Sequence, residues 1–278
     1  ACSGRPGTYD EPTMSGLVRS NLLVASGTAT SRITGLARII VFASIVGQTS
    51  VADIFEIANN APNAVYELLI GGVLSSSLVP LVVSIMRRDT SASRHPDLDA
   101  VYSTSLVLFA LVTSVAVLGA GWIFRVFTLS PSAGVDVDAF RSAGTLLTRI
   151  FVVQIFFYGV AALSSAVLNA RGRFTMGAWS PALANLITIG ILLLVPLTGA
   201  DNPPSIANIS SMSATTWTLG LSTTLGIVVM GLIQWFTMRR AGIRISFKPT
   251  FRNDSVRELL RLSTWSVGYV LANQFALV

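Results

Sequence analysis

The chain has 278 residues, of which 52% are hydrophobic and 12% are charged, and its formal net charge is +6. A soluble domain carries about 25% charged residues, so this composition excludes a typical soluble domain and indicates an integral membrane protein. One cysteine and one histidine exclude an internal disulfide and leave little material for a histidine-based site. We find no nucleophile–base pair and no phosphate-binding glycine loop. We therefore expect no metal, no cofactor and no enzymatic activity.

Long apolar segments follow one another along the chain. They are Leu22–Val46, Asp53–Met86, Val101–Phe127, Thr145–Asn169, Trp179–Leu197, Thr215–Met238 and Ser263–Val278. A membrane span needs about 20 apolar residues, so the first six are long enough to cross. Each is predicted to be helical, because lipid offers the backbone no hydrogen-bond partners. The last stops after 16 residues, and from this we expect a fragment cut inside a helix.

These segments predict an all-α integral membrane protein with four regions in sequence. The regions are a disordered polar tail at 1–16, a six-helix transmembrane lobe at 17–240, a basic cytoplasmic linker at 241–262 and a truncated seventh helix at 263–278. In the linker, Ser255 and Glu258 match a capping box, while Val256, Leu259 and Leu260 share one face. This pattern predicts a short helix at the membrane interface.

The basic residues are distributed unevenly between the two sides of the predicted membrane. With the N-terminus in the cytoplasm and the loops assigned alternately, 14 of the 19 Lys and Arg residues fall inside and three fall outside. This is the positive-inside bias of a cytoplasmic membrane protein. Basicity therefore sets topology, and we expect contacts with membrane lipids and no nucleic-acid partner.

The first apolar segment contains the stretch SRITGLAR, with Arg32 and Arg38 inside a predicted span. Gly27, Ser31 and Gly35 recur every fourth residue there, which favours close approach of another helix. A charge at the bilayer centre costs roughly 2.5–3.5 kcal/mol on insertion scales, so each arginine needs an anionic partner. That partner is either a carboxylate of the chain, which makes the arginines structural, or a bound substrate. Guanidinium groups suit phosphate oxygens, and a diphosphate fits two of them.

The second segment contains polar residues around a proline. Pro62 removes a backbone donor and is predicted to kink the helix, with Asn59, Asn60 and Asn63 clustered beside it. Glu67 follows about one turn later. Its two readings are an ion-pair partner of the arginines and a gating or proton-coupling acid. A carboxylate beside a kinked helix indicates a water-filled or protein-lined cavity.

Two stretches carry a family resemblance. ASGTATSRITGLAR, followed by VADIFEIANNAPNAVYELLIGGVLSSSLVP, resembles the opening of the MviN/MurJ lipid II flippase family. This family belongs to the multidrug/oligosaccharidyl-lipid/polysaccharide exporter superfamily. The later stretches ARGRF and SPALANL are similar to family segments too. The NAVYELLIGGVL version looks like the actinobacterial branch.

The resemblance implies a fold and an activity. It implies fourteen helices, with two six-helix lobes facing each other across a cavity and two helices beyond them. This chain then holds the first lobe and the start of helix seven. The implied activity moves the undecaprenyl-diphosphate-linked peptidoglycan precursor from the cytoplasmic to the outer leaflet by alternating access. The fragment is expected to be inactive alone, because alternating access needs both lobes.

The resemblance also assigns candidate site residues. The family's cavity arginines correspond to Arg32 and Arg38, its first acid of helix two to Asp53, and its Pro-Asn pair to Pro62 and Asn63. We add Glu67 as a residue that tunes the arginines, and Gly35 and Pro62 as hinge positions. The chain departs from the family at Ile39, where many members carry an acid. It departs again at Tyr66 and Glu67, where many carry arginines.

Two other functions remain open from the sequence. One is a sister exporter of the same superfamily that carries lipid-linked oligosaccharides or drugs. The other is a non-transporting membrane scaffold that binds cell-wall synthesis proteins. In the scaffold reading the arginines are dispensable and an accessible central cavity is absent.

Overall fold

The computed structural model describes residues 14–67, 78–88, 95–128 and 136–261, and every regular element in these ranges is helical. The helices are α1 Met14–Val46, α2 Ser50–Glu67, α3 Val79–Arg88, α4 Pro96–Leu118, α5 Ala120–Phe127, α6 Val137–Phe151, α7 Gln154–Ala170, α8 Thr175–Leu192, α9 Ile206–Ile209 and α10 Ala214–Arg240. A 3₁₀ turn spans Val195–Thr198, and residues 254–261 form α11. The all-α prediction is confirmed.

Five helical stretches in the described residues are long and apolar enough to cross a membrane. They are Asn21–Val46, Pro96–Leu118, Val137–Ala170, Thr175–Thr198 and Ala214–Arg240. They correspond to five of the six predicted spans. The remaining one includes α2 and α3, which are separated by residues outside the described ranges. The predicted seventh helix at 263–278 also lies outside them. In the N-terminal tail, α1 begins at Met14, within the segment predicted as disordered, while residues 1–13 are not described.

Several helices begin before the predicted residue, and α4 and α6 show why. α4 begins at Pro96, with Asp97 and Asp99 in its first turn, because proline suits the first helical position and acids favour the positive helix N-terminus. α6 begins at Val137, where the Asp136 side chain accepts from the backbone N–H of Asp138 and Ala139 at 3.0 and 3.2 Å. Hydropathy did not predict the first residue of either helix, because the charged residues in the first turn lower the mean hydropathy there.

Predicted spans are also interrupted, the fifth after Leu192, where α8 ends and the 3₁₀ turn follows. The third bends at Gly119, which ends α4 and precedes α5; glycine is among the weakest helix formers. The fourth is interrupted between α6 and α7, where the N–H of Ile155 donates to the carbonyl of Val152 at 3.1 Å in a tighter turn. By contrast, α2 stays helical through Pro62.

The small-residue face of α1 packs closely against another helix, as predicted, and the structure shows that this helix is α8. A Cβ at Gly27 would lie 2.6 Å from Cδ1 of Trp179, and one at Gly35 would lie 3.5 Å from Nδ2 of Asn185. The same amide donates to the carbonyl of Ser31 at 3.1 Å. The contact of Gly35 lies after that of Gly27 on α1, and its partner also lies later on α8. The two helices therefore run parallel.

The buried side chains form clusters toward the two ends of the bundle. We call the end with the α7–α8 turn and the C-terminus of α10 the basic end, because Arg171, Arg173, Arg239, Arg240 and Arg244 lie there. The larger cluster includes Tyr102, Leu168 and Met238. The cluster toward the opposite end includes Phe55, Phe124 and Phe151. Phe42 of α1 contacts Phe55 of α2 there, with ring centroids 4.6 Å apart.

The segment after α10 runs across α4 and is bound by its side chains. Oδ1 of Asp99 accepts from the N–H of Ser246 at 2.9 Å, and the Thr104 hydroxyl donates to the Thr250 carbonyl at 3.1 Å and accepts from its N–H at 2.9 Å. We call residues 243–253 the strap. This part of the predicted linker is therefore held against the helical lobe.

The predicted capping box in the linker is wrong, although its helix is present. Oδ1 of Asn253 accepts from the N–H of Ser255 and Val256 at 2.9 and 3.3 Å, so Asn253 is the N-cap. Val256 and Leu259 are buried in the core cluster nearer the basic end. The apolar face of α11 thus packs on the protein. The local pattern matched a capping box, but tertiary packing placed Ser255 inside the first turn.

Candidate functional site

A cavity of about 220 Å³ lies between α1, α2, α8 and α10. We call it the arginine cavity, because Arg38 is the one cation among its described lining residues. Its other lining residues are Ile39, Phe42, Phe55, Glu56, Asn59, Asn60, Asn63, Thr188, Leu192 and Thr223. One cation, one carboxylate, three amides and two hydroxyls therefore face a single space at membrane depth.

Helix geometry explains why these residues meet. The Phe42–Phe55 contact joins α1 and α2 near the short turn between them. Arg38 lies about 12 Å before the end of α1 at Val46, and Asn59 about 14 Å after the start of α2 at Ser50, at 1.5 Å per residue. Both are therefore at a similar depth. α1 packs along α8 and not along the full length of α2. Space therefore remains between α1 and α2 at the depth of Arg38 and Asn59.

Arg38 has no carboxylate partner in the part of the chain that the structure describes. The ion pair found there is the exposed contact between Arg257 and Asp254, at 3.9 Å. Arg38 is half-buried. Glu56 lines the same cavity without forming an ion pair with it. The predicted structural alternative, in which Asp53, Glu56 or Glu67 neutralises each arginine, is therefore not observed.

Two residues of the cavity wall are bound by side chains of α7. Oδ1 of Asn63 accepts from the Tyr158 hydroxyl at 3.2 Å. Nε2 of Gln154, on α7, donates to the hydroxyls of Thr223 and Thr224 at 3.2 and 3.0 Å. Oδ1 of Asn59 is buried and has no hydrogen-bond partner among the described residues. Hydrogen bonds from α7 thus orient Asn63 and Thr223, two residues of the cavity wall.

The predicted site residues do not all meet in this cavity. Arg38 and Asn63 line it, whereas Arg32, Asp53 and Glu67 are exposed and do not. Of the predicted hinge positions, Pro62 is buried in α2, and Gly35 is at the α1–α8 contact. The structure thus separates the predicted set into two cavity residues, three exposed charged residues and two packing residues.

The sequence analysis did not identify four polar residues that line or support the cavity. Thr188 and Thr223 line the cavity, and Gln154 and Tyr158 support its wall. Each is a polar residue inside an apolar segment, which is the signal that could have found them. Periodicity alone did not show that α7, α8 and α10 turn these residues toward the arginine.

The chemistry of the cavity favours an anion with several oxygens. A guanidinium donates through up to five N–H groups in a planar fork, and amide NH₂ groups are neutral donors of the same kind. An unpaired arginine at membrane depth is unfavourable unless an anion meets it. The arrangement can therefore hold a phosphate or diphosphate group.

Comparisons with known proteins assign the chain to a family. The family model described as Lipid II flippase MurJ matches residues 42–278. The "Probable lipid II flippase MurJ" of Haemophilus influenzae is 28% identical over 261 residues, covering 90% of this chain and 48% of that protein. The corresponding protein of Vibrio cholerae is 33% identical over 183 residues, covering 62% and 34%.

A solved structure shares the fold. The structure named "Lipid II flippase MurJ, inward closed conformation" superposes with a TM-score of 0.68 at 20% identity, covering 91% of this chain and 48% of that one. The chain therefore spans about half the length of the proteins that it matches most extensively. The family match begins after both α1 arginines and therefore does not bear on their role. With most of its length matched, this chain is a membrane protein that belongs to the MurJ lipid II flippase family.

Proposed function

We propose that the protein containing this chain is a flippase for the undecaprenyl-diphosphate-linked peptidoglycan precursor. The matched relatives carry the name of this activity, and the chain has the fold of a MurJ structure. In this proposal the chain forms the first of two lobes, and alternating access requires the second. The 278 residues are then inactive by themselves.

The observation that carries the proposal is the position of Arg38. It lines a polar cavity in the membrane and has no carboxylate partner in the described ranges. Leaving an arginine at this depth without an anion costs roughly 2.5–3.5 kcal/mol on insertion scales. A diphosphate headgroup removes this cost when it binds, while the polyprenyl chain stays in lipid.

Further residues take roles around this contact in the proposed mechanism. Arg32 is exposed and lies six residues before Arg38, about 9 Å along the helix, where it meets the headgroup as it enters or leaves. Asn63 donates from its amide to the phosphate oxygens. The acids Asp53 and Glu67 are exposed and modulate the field around the arginines. Gly35 and Pro62 are the positions at which α1 and α2 bend.

We also propose the orientation and location of the protein. The basic end faces the cytoplasm, following the positive-inside rule, and the membrane is the bacterial cytoplasmic membrane. The N-terminus is cytoplasmic, and the α1–α2 turn faces outward. Cysteine labelling of the full-length protein at Gln48, in that turn, and at Arg171 tests this, since the two exposed positions must react from opposite sides.

The decisive experiment measures precursor on the outer leaflet in cells that depend on the full-length protein. Arg38→Ala is expected to reduce flipping roughly tenfold or more, because charge-assisted hydrogen bonds contribute about 1.5–3 kcal/mol. Arg38→Lys should retain part of the activity, since it keeps the charge and loses the fork. Arg257→Ala, which removes an exposed arginine from an ion pair, is the matched control.

Normal flipping by an Arg32→Ala/Arg38→Ala variant would contradict the proposed diphosphate contact. If the full-length protein does not rescue cells depleted of their precursor flippase, the sister-exporter function is supported instead. Rescue without outward movement of the precursor would indicate the scaffold function.

A further inference from the structure

The α2 side of the arginine cavity presents a carboxylate and an amide that a ligand can reach. Glu56 and Asn60 both line the cavity, and both residues are exposed. Neither side chain forms a hydrogen bond or an ion pair with the residues that the structure describes. Both are therefore available to a ligand, unlike the amide oxygen of Asn63, which already accepts from Tyr158.

Glu56 and Asn60 lie on one face of α2, opposite Arg38. They are four residues apart, and residues at this spacing are neighbours on a helix, with Cβ atoms about 5–6 Å apart. Glu56 lies about 9 Å and Asn60 about 15 Å after the start of α2, at 1.5 Å per residue. Arg38 lies about 12 Å before the end of α1, so its depth is between theirs. A ligand bound by Arg38 on α1 therefore has Glu56 and Asn60 on its α2 side.

The charges that line the cavity do not balance those of a diphosphate. Among its described lining residues, Arg38 carries a positive charge and Glu56 a negative charge, so the two cancel. A diphosphate within a lipid-linked headgroup carries a negative charge on each phosphate group. Glu56 repels this anion, and an ion whose charge is not compensated is unfavourable in a cavity at membrane depth. A divalent cation that binds together with the diphosphate removes the imbalance.

The oxygen atoms on the α2 side suit such a cation. Proteins usually hold Mg²⁺ through one or two carboxylates together with substrate phosphates, and amide oxygens are also ligands of hard cations. Glu56 supplies the carboxylate and Asn60 the amide oxygen. The described residues contain no group of three or more His, Cys, Asp or Glu that could hold a metal ion by themselves. A cation at this position therefore depends on phosphate oxygens, which makes it part of the cargo and not a resident cofactor.

We propose that the arginine cavity binds a diphosphate as its complex with a divalent cation of the Mg²⁺ type. Arg38 donates to the phosphate oxygens, and Glu56 and Asn60 bind the cation. This inference rests on the proposed function for the identity of the anion. Glu56 repels a bare diphosphate and becomes a ligand of the complexed one, so the cavity distinguishes the two forms of the same headgroup.

Binding is measured by calorimetry on the full-length protein in phosphatidylcholine nanodiscs, with inorganic pyrophosphate as the probe, in EDTA and in saturating Mg²⁺. The wild type should bind the probe about tenfold more tightly in Mg²⁺, within the roughly 5–150-fold range of coupled ligands. Glu56→Gln keeps the shape of the side chain and removes its charge. In EDTA this variant should bind more tightly than the wild type, because a like charge is removed. In Mg²⁺ it should bind about tenfold more weakly, because the cation loses its carboxylate.

Further variants separate the cation from the anion. Glu56→Gln/Asn60→Asp moves the carboxylate to the neighbouring position on α2 and should restore tighter binding in Mg²⁺. Arg38→Ala should weaken binding in both conditions. Glu258→Gln makes the same change as Glu56→Gln at an exposed position of α11 and should leave binding unchanged in both. Thermal unfolding of each variant identifies loss of binding caused by loss of folding.

Tighter binding by Glu56→Gln in both EDTA and Mg²⁺ would overturn the proposal, since Glu56 would then only repel the anion. Equal binding by the wild type in the two conditions would also overturn it, while the proposed contact between Arg38 and a diphosphate would stand. Absence of pyrophosphate binding in both conditions would contradict that contact as well as the cation. The electron paramagnetic resonance spectrum of Mn²⁺, used in place of Mg²⁺, reports the ion directly. Pyrophosphate-dependent Mn²⁺ binding is expected in the wild type and should be lost in Glu56→Gln.

Discussion

The hydroxyl of Tyr158 donates a hydrogen bond to Oδ1 of Asn63 at 3.2 Å, which connects α7 to the wall of the arginine cavity. This bond uses the acceptor of the Asn63 amide and leaves its NH₂ group for other partners. It also joins α2 to α7. The orientation of a predicted site residue therefore depends on a tyrosine 95 positions away.

Removing this hydroxyl should lower transport more than stability. Tyr158→Phe is expected to destabilise the protein by about 0.5–1.5 kcal/mol and to reduce precursor flipping, because the Asn63 amide is no longer oriented. Tyr102→Phe is the matched control, since its hydroxyl forms a comparable buried bond with Ser164 at 2.9 Å away from the cavity. Thermal unfolding and flipping are measured for both in the full-length protein. A similar loss of flipping in the two variants would show that Tyr158 acts only through stability.

The close contact between α8 and α10 depends on the absence of a side chain at Gly226. A Cβ there would lie 2.7 Å from the backbone carbonyl oxygen of Ala184, which cannot move without moving α8. Gly226→Ala is therefore expected to lower the free energy of unfolding by about 1–3 kcal/mol, the range for overpacked cores. Gly190→Ala on α8 is the control, because a Cβ there meets nothing within 4 Å. Equal thermal unfolding midpoints for the two variants would contradict the observed helix spacing.

The strap should be released by substitutions on α4 that leave the spans intact. Asp99 is 4% exposed and accepts from the N–H of Ser246, while Thr104 accepts from the N–H of Thr250. Asp99→Ala combined with Thr104→Val is expected to increase amide hydrogen exchange at Ser246 and Thr250 at least tenfold, since both amides lose their acceptors.

Asp254→Ala, which changes an exposed carboxylate, is the control for this experiment and should leave exchange in the strap unchanged. Unchanged exchange in the Asp99/Thr104 double variant would mean that the remaining contacts hold the strap, namely the hydrogen bonds of Ser103 with Ser246 and Lys248 and the packing of Ile243. Exchange in α10 serves as the internal reference for global unfolding.

The sequence predicted the spans well and their interruptions poorly. The apolar runs from Leu22 and Thr215 correspond to α1 and α10 because hydropathy depends on local composition. The bend at Gly119 and the break before Gln154 lie inside apolar runs, where hydropathy does not change. Such breaks depend on neighbouring helices. Gln154, for example, binds two threonines of α10 at the first position of α7.

The candidate site was only partly accessible from the sequence. Arg38 and Asn63 were identified because charge and amides at membrane depth are unusual, and both line the arginine cavity. Arg32 carried the same signal, yet it does not line that cavity, since six residues of helix turn it to a different direction. Thr188 and Thr223 line the cavity from α8 and α10. Their separation along the chain does not predict that they lie in the same cavity.

Composition and the length of the apolar segments by themselves determined that this protein is helical and membrane-embedded. A backbone in lipid is satisfied only in helices or closed barrels, and segments of about 20 apolar residues fit helices rather than the shorter strands of a barrel. Tertiary packing decided which polar residues share a cavity. α1 lies along α8 through Gly27 and Gly35 and meets α2 at Phe42 and Phe55. That arrangement leaves Arg38 facing an open space, and the contacts that create it join residues far apart in sequence.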